Sequence, residues 1–398
     1  MKFLTTIISM LFLSALLNAQ EVKDAPKQSD YSALSEKALE NAGDNKDELK
    51  KAIANAPAEH KEAMQFLIAY MPPQDLKTLR AKFLLANVAL AYKARETFPW
   101  AKEVPKEIFY NDILPYAALN ETRDDWRQDF YDRFSKHVKD AKTMEEAILA
   151  VNKAIKDEVG VEYNTKRNKP HQSPYESMEI KMASCTGLSI LLNDAFRAVG
   201  IPSRVAGIPA WTTKRGNHNW VEVWTPSDQQ WHFTEYYLDA KGLDHGWLLA
   251  DAAKANPKSF VHSVYASSWK PTEIHFPMVW NMKDKSVPGV NVSERYIKLG
   301  NAGKKPGANV CQLRIDYTVD GKRTSIPVTV VQGDVEMFKG ITPDKTKDMN
   351  QFLNFEVKKG QIYQIAYMLP GTKKWQFKEV KTDNKAEFLR VQLEKKAK

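Results

Sequence analysis

The segment from Ser184 to Glu235 constrains this chain more than any other. After Ser184-Cys185-Thr186-Gly187, the residues Leu188, Leu191, Leu192, Ala195, Phe196 and Val199 recur at the spacing of an amphipathic helix, and Gly200-Ile201-Pro202 supplies its stop signals. Cys185 therefore sits at or just before the first turn of that helix. Downstream, His218-Asn-Trp-Val-Glu-Val-Trp224 alternates like a strand, Thr225-Pro-Ser-Asp228 reads as a turn, and Gln229-Gln-Trp-His-Phe-Thr-Glu235 alternates again. A hairpin with those four residues as its loop sets Trp224 opposite Gln229, Glu222 opposite Trp231, Trp220 opposite Phe233 and His218 opposite Glu235.

This pattern has a chemical reading. Unpaired N–H groups and the positive end of the helix dipole favour thiolate over thiol at a helix start, which a cysteine needs to act as a nucleophile at neutral pH. Cross-strand neighbours on one face hold their Cβ atoms about 5 Å apart, close enough for a carboxylate to hold one ring nitrogen of a histidine. Thiol, imidazole and acid make a nucleophilic triad suited to attack on an amide or ester carbonyl through a thioester. A lone cysteine is otherwise a small buried hydrophobe.

The run Cys185-Thr-Gly-Leu-Ser-Ile-Leu-Leu-Asn-Asp-Ala-Phe-Arg-Ala-Val-Gly-Ile-Pro-Ser-Arg204, followed by His218-Asn-Trp-Val-Glu-Val-Trp224 and Trp231-His-Phe-Thr-Glu235, resembles the transglutaminase-like domain over about residues 144–280. The resemblance implies a papain-like core, with a helix carrying Cys185 packed on an antiparallel sheet carrying His218. It implies Cys185 as nucleophile, His218 as general base and then acid, and Glu235 as orienting carboxylate, in a slot where the family usually has Asp; Asp239 is a nearby rival. Papain-like sites add a side-chain oxyanion donor to the cysteine N–H, and Gln172, in His171-Gln-Ser-Pro174, is the candidate. Trp211 and Trp220 are candidate walls of a substrate groove, with ordinary core as the alternative, and Tyr236 and Tyr237 beside the acid are equally open.

Around this segment the texture differs. Met1-Lys2, an apolar run from Phe3 to Leu17 and a small residue at Ala19 describe a signal peptide (residues 1–19) cleaved after Ala19, which predicts a secreted or periplasmic protein with no membrane span once the signal is removed. Residues 20–105 read as an N-terminal helical region and 106–285 as the transglutaminase-like catalytic domain. The helical texture itself continues to about Val159: Leu76, Leu79 and Phe83 recur at helical spacing, Trp126, Phe130, Phe134 and Val138 form one stripe, and Thr143-Met-Glu-Glu146 reads as a capping box. From 290 to 398, alternation at Cys311–Val319 ending in Asp320-Gly321, with further strands near 326–331, 352–357, 361–368 and 375–380, predicts an antiparallel β-sandwich. The expected fold class is α+β: a papain-like core between a helical region and a β-sandwich.

Composition excludes several function classes. A chain of 398 residues that is 43% hydrophobic and 27% charged is neither disordered nor a disulfide scaffold, and its two cysteines allow at most one bridge, Cys185–Cys311, as a structural alternative. The net charge of +9 is spread over scattered lysines, which argues against a nucleic-acid partner. Eight histidines without a His-x-x-x-His pair or a Cys-x-x-Cys support no metal site, and no cofactor is expected. The expected function is cysteine-dependent acyl transfer on peptide, protein or cell-wall-like amides, hydrolytic or cross-linking. A peptide N-glycanase-like amidase and a non-catalytic surface protein binding peptide or glycan are the alternatives.

Overall fold

In the computed structural model, which describes residues 30–213, 216–302 and 309–394, the helical half and the Cys185 helix share one apolar core. The segment read as a signal peptide lies outside the described residues. No helix among the described residues is long and apolar enough to cross a membrane. The helical spacing over Leu76–Phe83 does not give one helix: Pro73–Thr78 ends where Leu79 and Arg80 turn extended, and α1 (Ala81–Thr97) starts afresh. The buried Asn45 amide causes the break by donating to the carbonyls of Leu76 (3.0 Å) and Leu79 (2.8 Å), which takes them out of helical pairing. The stripe Trp126, Phe130, Phe134 and Val138 is buried along α2 (Arg127–Val138). Thr143 caps α3 (Met144–Val159) through the Glu146 N–H, but the Glu146 carboxylate reaches back to the Lys142 N–H instead of closing the box on Thr143.

The central helix α4 (Cys185–Ala198) is enclosed more fully than its amphipathic pattern implies, since every residue after Cys185 is buried, the polar ones included. Arg197 is accommodated because its guanidinium donates to the carbonyls of Asp112, Ala117 and Ser203. The chain leaves α4 through Gly200 at φ +75°, where a Cβ would stand 2.6 Å from that of Ala101, so only glycine allows this turn against the helical region.

Helix α4 packs on β1 (Ser203–Ile208) and β2 (His218–Thr225) of a six-stranded antiparallel sheet. Its other strands are β3 (Gln230–Thr234), β4 (Tyr265–Ser267), β5 (Ile274–His275) and β6 (Pro288–Asn291), in the order β3-β2-β1-β4-β6-β5. The β2–β3 register differs from expectation by two residues: Glu222 faces Phe233, and Thr225 faces Gln230. The loop is Pro226–Gln229, because Asp228 accepts from both the Thr225 hydroxyl and the Gln230 N–H while Gln229 takes a left-handed φ of +58°. A slip of two preserves faces, so His218 and Glu235 still share a side of the sheet, as diagonal neighbours instead of a direct pair.

After the helix Ser293–Asn301, two four-stranded sheets enclose a separate core running from Cys311 to Leu393. One sheet centres on β7 (Val310–Val319), which turns through Asp320 and Gly321, both at positive φ, into β8 (Lys322–Arg323). The second holds β9 (Pro327–Gln332) and β10 (Val335–Ile341), and β11 (Leu353–Lys358) joins β7. β12 (Ile362–Met368) and β13 (Trp375–Lys381) extend the second sheet. β14 (Phe388–Glu394) pairs with β7 in parallel, the one departure from the antiparallel pattern among the described strands of these two sheets.

Candidate active site

Ser184 caps α4, its hydroxyl accepting from the Thr186 (3.1 Å) and Gly187 (3.3 Å) N–H groups and donating to the Pro170 carbonyl (2.6 Å). Cys185 is thereby held as the first residue of the helix and the only one of α4 that is not buried. The Thr186 hydroxyl, 2.9 Å from Asn219 Oδ1, ties the helix start to β2 beside His218. That tie needs Gly207 across the strand pair, where a Cβ would come within 2.1 Å of the Asn219 amide nitrogen.

His218 begins β2 and is almost completely buried. Its Nε2 lies 2.7 Å from Glu235 Oε1, and the Trp247 indole N–H donates to that same oxygen at 3.2 Å. The rings of Trp247 and His218 stand 4.7 Å apart. Asp239, the rival acid, instead accepts the Lys241 N–H. On the other side of the ring, Nδ1 faces Asp348 Oδ2 at 3.4 Å, and the Cys185 sulfur, a His218 ring nitrogen and an Asp348 oxygen all lie within 4.8 Å of one another. Burial works against a charged imidazole and is the largest single influence. The Asp348 carboxylate, together with polar contacts to Cys185 and Glu235, outweighs it, and the His218 pKa is held well above the ordinary range. Burial likewise opposes ionisation of Asp348, yet His218 and the Asn350 N–H keep its pKa low. The surroundings of the ring therefore favour its protonated form, the form able to pass a proton to a leaving group.

Two cavities meet at Cys185. The larger, about 880 Å³, lies between the sheet and the β-sandwich and is lined by Arg167, Trp280, Arg314, Phe352 and Phe388 among others. The smaller, about 250 Å³, runs past His218, Glu235, Tyr237 and Trp247. Tyr163, Cys185 and Asp348 line both. Burial, followed by the neighbouring Asp348 and Cys185, raises the Tyr163 pKa, so its hydroxyl stays protonated and can donate beside the sulfur.

The structure thus brings together Cys185, His218 and Glu235, keeps Asp239, Tyr236 and Tyr237 on the wall of the same small cavity, and leaves Gln172, Trp211 and Trp220 off both cavities. Gln172 is buried with its amide engaged, donating to the Met182 carbonyl and accepting from the Asn168 N–H, and it lines neither cavity. Trp211 and Trp220 are core: they stack at 6.3 Å behind His218, and the Trp220 indole donates to the Tyr296 hydroxyl. Tyr236 and Tyr237 both line the smaller cavity, but the buried Tyr236 commits its hydroxyl to the Val161 carbonyl. Both cysteines are free, and Cys311 is buried in the sandwich with its pKa raised by that burial. Asp348, Trp247 and Tyr163 escaped sequence reasoning. Trp247 carried a faint signal, as one of seven tryptophans crowded between Trp211 and Trp280; Asp348 sits in a polar turn that reads as solvated loop and carried none.

Residues 132–252 match the family model described as the transglutaminase-like superfamily. This segment is a transglutaminase-like domain. The superfamily is one of cysteine-dependent enzymes, and the segment holds Cys185, His218 and Glu235, while Asp348 lies outside it. No curated protein matches the chain. Solved structures similar to it include a candidate cysteine protease from Cytophaga hutchinsonii (19% identity, 44% of this chain and 57% of that one, TM-score 0.28). Another is red sea bream transglutaminase (8% identity, 65% and 58%, TM-score 0.28), and a third is described as a TGase (15% identity, 44% and 46%, TM-score 0.26). The chain spans less than two thirds of each of these. The assignment of the transglutaminase-like domain therefore stands on the family match and the helix–sheet arrangement around Cys185.

Proposed function

We propose that the protein is a secreted cysteine-dependent acyl-transfer enzyme acting on amide bonds of peptides, proteins or cell-wall-like polymers, predominantly by hydrolysis. The observation that carries this reading is the single line of groups Cys185, His218 and Glu235, with the sulfur at a helix start where two cavities meet. The thiolate attacks the amide carbonyl, and the C–N bond breaks as the imidazolium gives its proton to the leaving amine. A thioester on Cys185 remains. Water, deprotonated by the now neutral His218, then attacks the thioester and releases the acid and the thiolate. Glu235 holds the Nε2 proton throughout. Tyr163, which lines both cavities with Cys185, and the Cys185 N–H are the proposed oxyanion donors. Hydrolysis is favoured over amine transfer because Cys185 is partly exposed, which gives water access to the thioester. Residues 1–19 support export.

Iodoacetamide labelling tests the reading. One thiol of the native protein should react fast, and Cys185→Ala should abolish that labelling together with turnover of peptide, cross-linking amine or cell-wall substrates. Equally slow labelling of the native protein and of His218→Ala would remove the activated thiol on which the mechanism depends.

A further inference from the structure

We infer that Cys185, His218 and Asp348 form a zinc-binding site, whose occupant ties up the nucleophile and holds the enzyme inactive. The binding stands on geometry alone; the inhibition rests on the function proposed above.

The first support is spacing. Nitrogen and oxygen ligands at about 2.0–2.1 Å from a tetrahedral zinc stand about 3.4 Å apart, and a thiolate at about 2.3 Å stands about 3.6 Å from either. His218 Nδ1 and Asp348 Oδ2 are already 3.4 Å apart, with the sulfur inside 4.8 Å. A rotation of the Cys185 side chain that closes about 1 Å completes the triangle.

The second support is the histidine. Its Nδ1 is buried and makes no hydrogen bond of good geometry, an orphaned position aimed at the other two donors. Its Nε2 is held by Glu235 at 2.7 Å. When the metal displaces the Nδ1 proton, Nε2–H stays with Glu235 and Nδ1 offers its lone pair, which is the carboxylate–histidine–metal arrangement that fixes tautomer and ring orientation in zinc sites. The Trp247 indole secures Glu235 in turn.

The third support is the donor set. Asp348 is 8% exposed, and its Oδ1 accepts the Asn350 N–H at 2.8 Å, which leaves Oδ2 turned to the ring. One soft sulfur, one imidazole and one carboxylate suit zinc and fail the all-oxygen demand of calcium or magnesium. A thiolate and a carboxylate together cancel the charge of a dication. The partly exposed Cys185 leaves the fourth position to water from the larger cavity. Three ligands from three distant segments leave no local spacing motif, which is why histidine and cysteine patterns in the sequence point to no metal.

The test uses the full mature chain after chelation and dialysis, titrated with zinc and with cobalt as a spectroscopic probe. One zinc per chain is expected, and cobalt should give a near-ultraviolet thiolate-to-metal charge-transfer band that Cys185→Ala removes and Cys311→Ala keeps. Asp348→Asn should weaken zinc binding at least tenfold, and Glu235→Gln should weaken it about 10–100-fold. One equivalent of zinc should protect Cys185 from iodoacetamide, and chelator should restore labelling. Zinc binding unchanged in both Cys185→Ala and Asp348→Asn, or cobalt binding without the charge-transfer band, overturns the site. The two readings separate cleanly: fast labelling of metal-free protein without the band sinks the zinc site alone, whereas the band with slow labelling sinks the enzyme alone.

Discussion

A single oxygen, Oε1 of Glu235, receives both the His218 Nε2 contact and the Trp247 indole N–H. The two donors predict unequal penalties. Glu235→Gln replaces an acceptor-only group with one that can also donate, so the ring can adopt the wrong tautomer. That should cost roughly 10²–10⁴-fold in kcat with little change in KM. Trp247→Phe keeps a ring against His218 and removes one hydrogen bond, worth about 1 kcal/mol, so kcat should fall by only about fivefold. Steady-state kinetics on both variants check this, and equal losses would mean that Glu235 merely packs. The same scale predicts one reactive thiol in the native protein and two after denaturation, since Cys311 is 1% exposed with its pKa raised by burial.

At the scale of elements, the motif residues that do no chemistry explain how the site is held. Arg204, which closes the Gly-Ile-Pro-x-Arg run, faces Glu222 of the His-x-Trp-x-Glu segment across β1 and β2, at 2.7 Å. Glu222 is completely buried and also takes Arg295 and the Tyr296 hydroxyl. Burial raises its pKa, but Arg295 and Arg204 outweigh that and hold it low. Arg204→Met leaves this buried carboxylate undercompensated and should cost about 3–5 kcal/mol in chemical denaturation. A loss under 1 kcal/mol would mean that Arg295 alone suffices. These contacts also show what the sequence could convey. Periodicity revealed α4, β2 and β3, and residue types revealed the thiol, imidazole and carboxylate, because those signals are local. The hairpin register depended on a left-handed Gln229 that no composition rule singles out, and the break at Leu79 depended on the Asn45 amide 34 residues away. Gln172 looked like a free loop amide, and only the fold brings the Met182 carbonyl to consume it.

Over the whole molecule, the helical half presses ionisable groups into the interior. Asp112, buried at the end of the helix Lys106–Asp112, has its pKa raised to about 6 by burial, with Arg204 and Arg197 opposing. Its folded value lies above the unfolded one, so the stability it confers is full below about pH 4 and is lost as pH rises to about 6. Asp112→Asn should therefore match the native protein near pH 4 and exceed it at pH 8 by on the order of 2–3 kcal/mol; equal gains at both pH values would rule out the titration. The β-sandwich is bound to the transglutaminase-like domain more tightly than a flexible appendage. Arg314 of β7 reaches Asp251 in the helix Leu249–Ala252 as an ion pair whose side chains are 2% and 0% exposed. The Asn350 amide donates to the Asn217 carbonyl one residue before His218. The loop so anchored carries Asp348 against the imidazole, and coupling between the two units therefore decides whether the site is complete. Calorimetry of the native chain should show one transition. Arg314→Met removes the cation facing a buried carboxylate, should cost about 3–5 kcal/mol, and should detach a lower-melting sandwich transition. Because a buried ion pair replaced on both sides by apolar groups is often neutral, adding Asp251→Leu should restore the single transition. Two transitions in the native chain, or no recovery in the double variant, would show that the sandwich is held by something other than this pair.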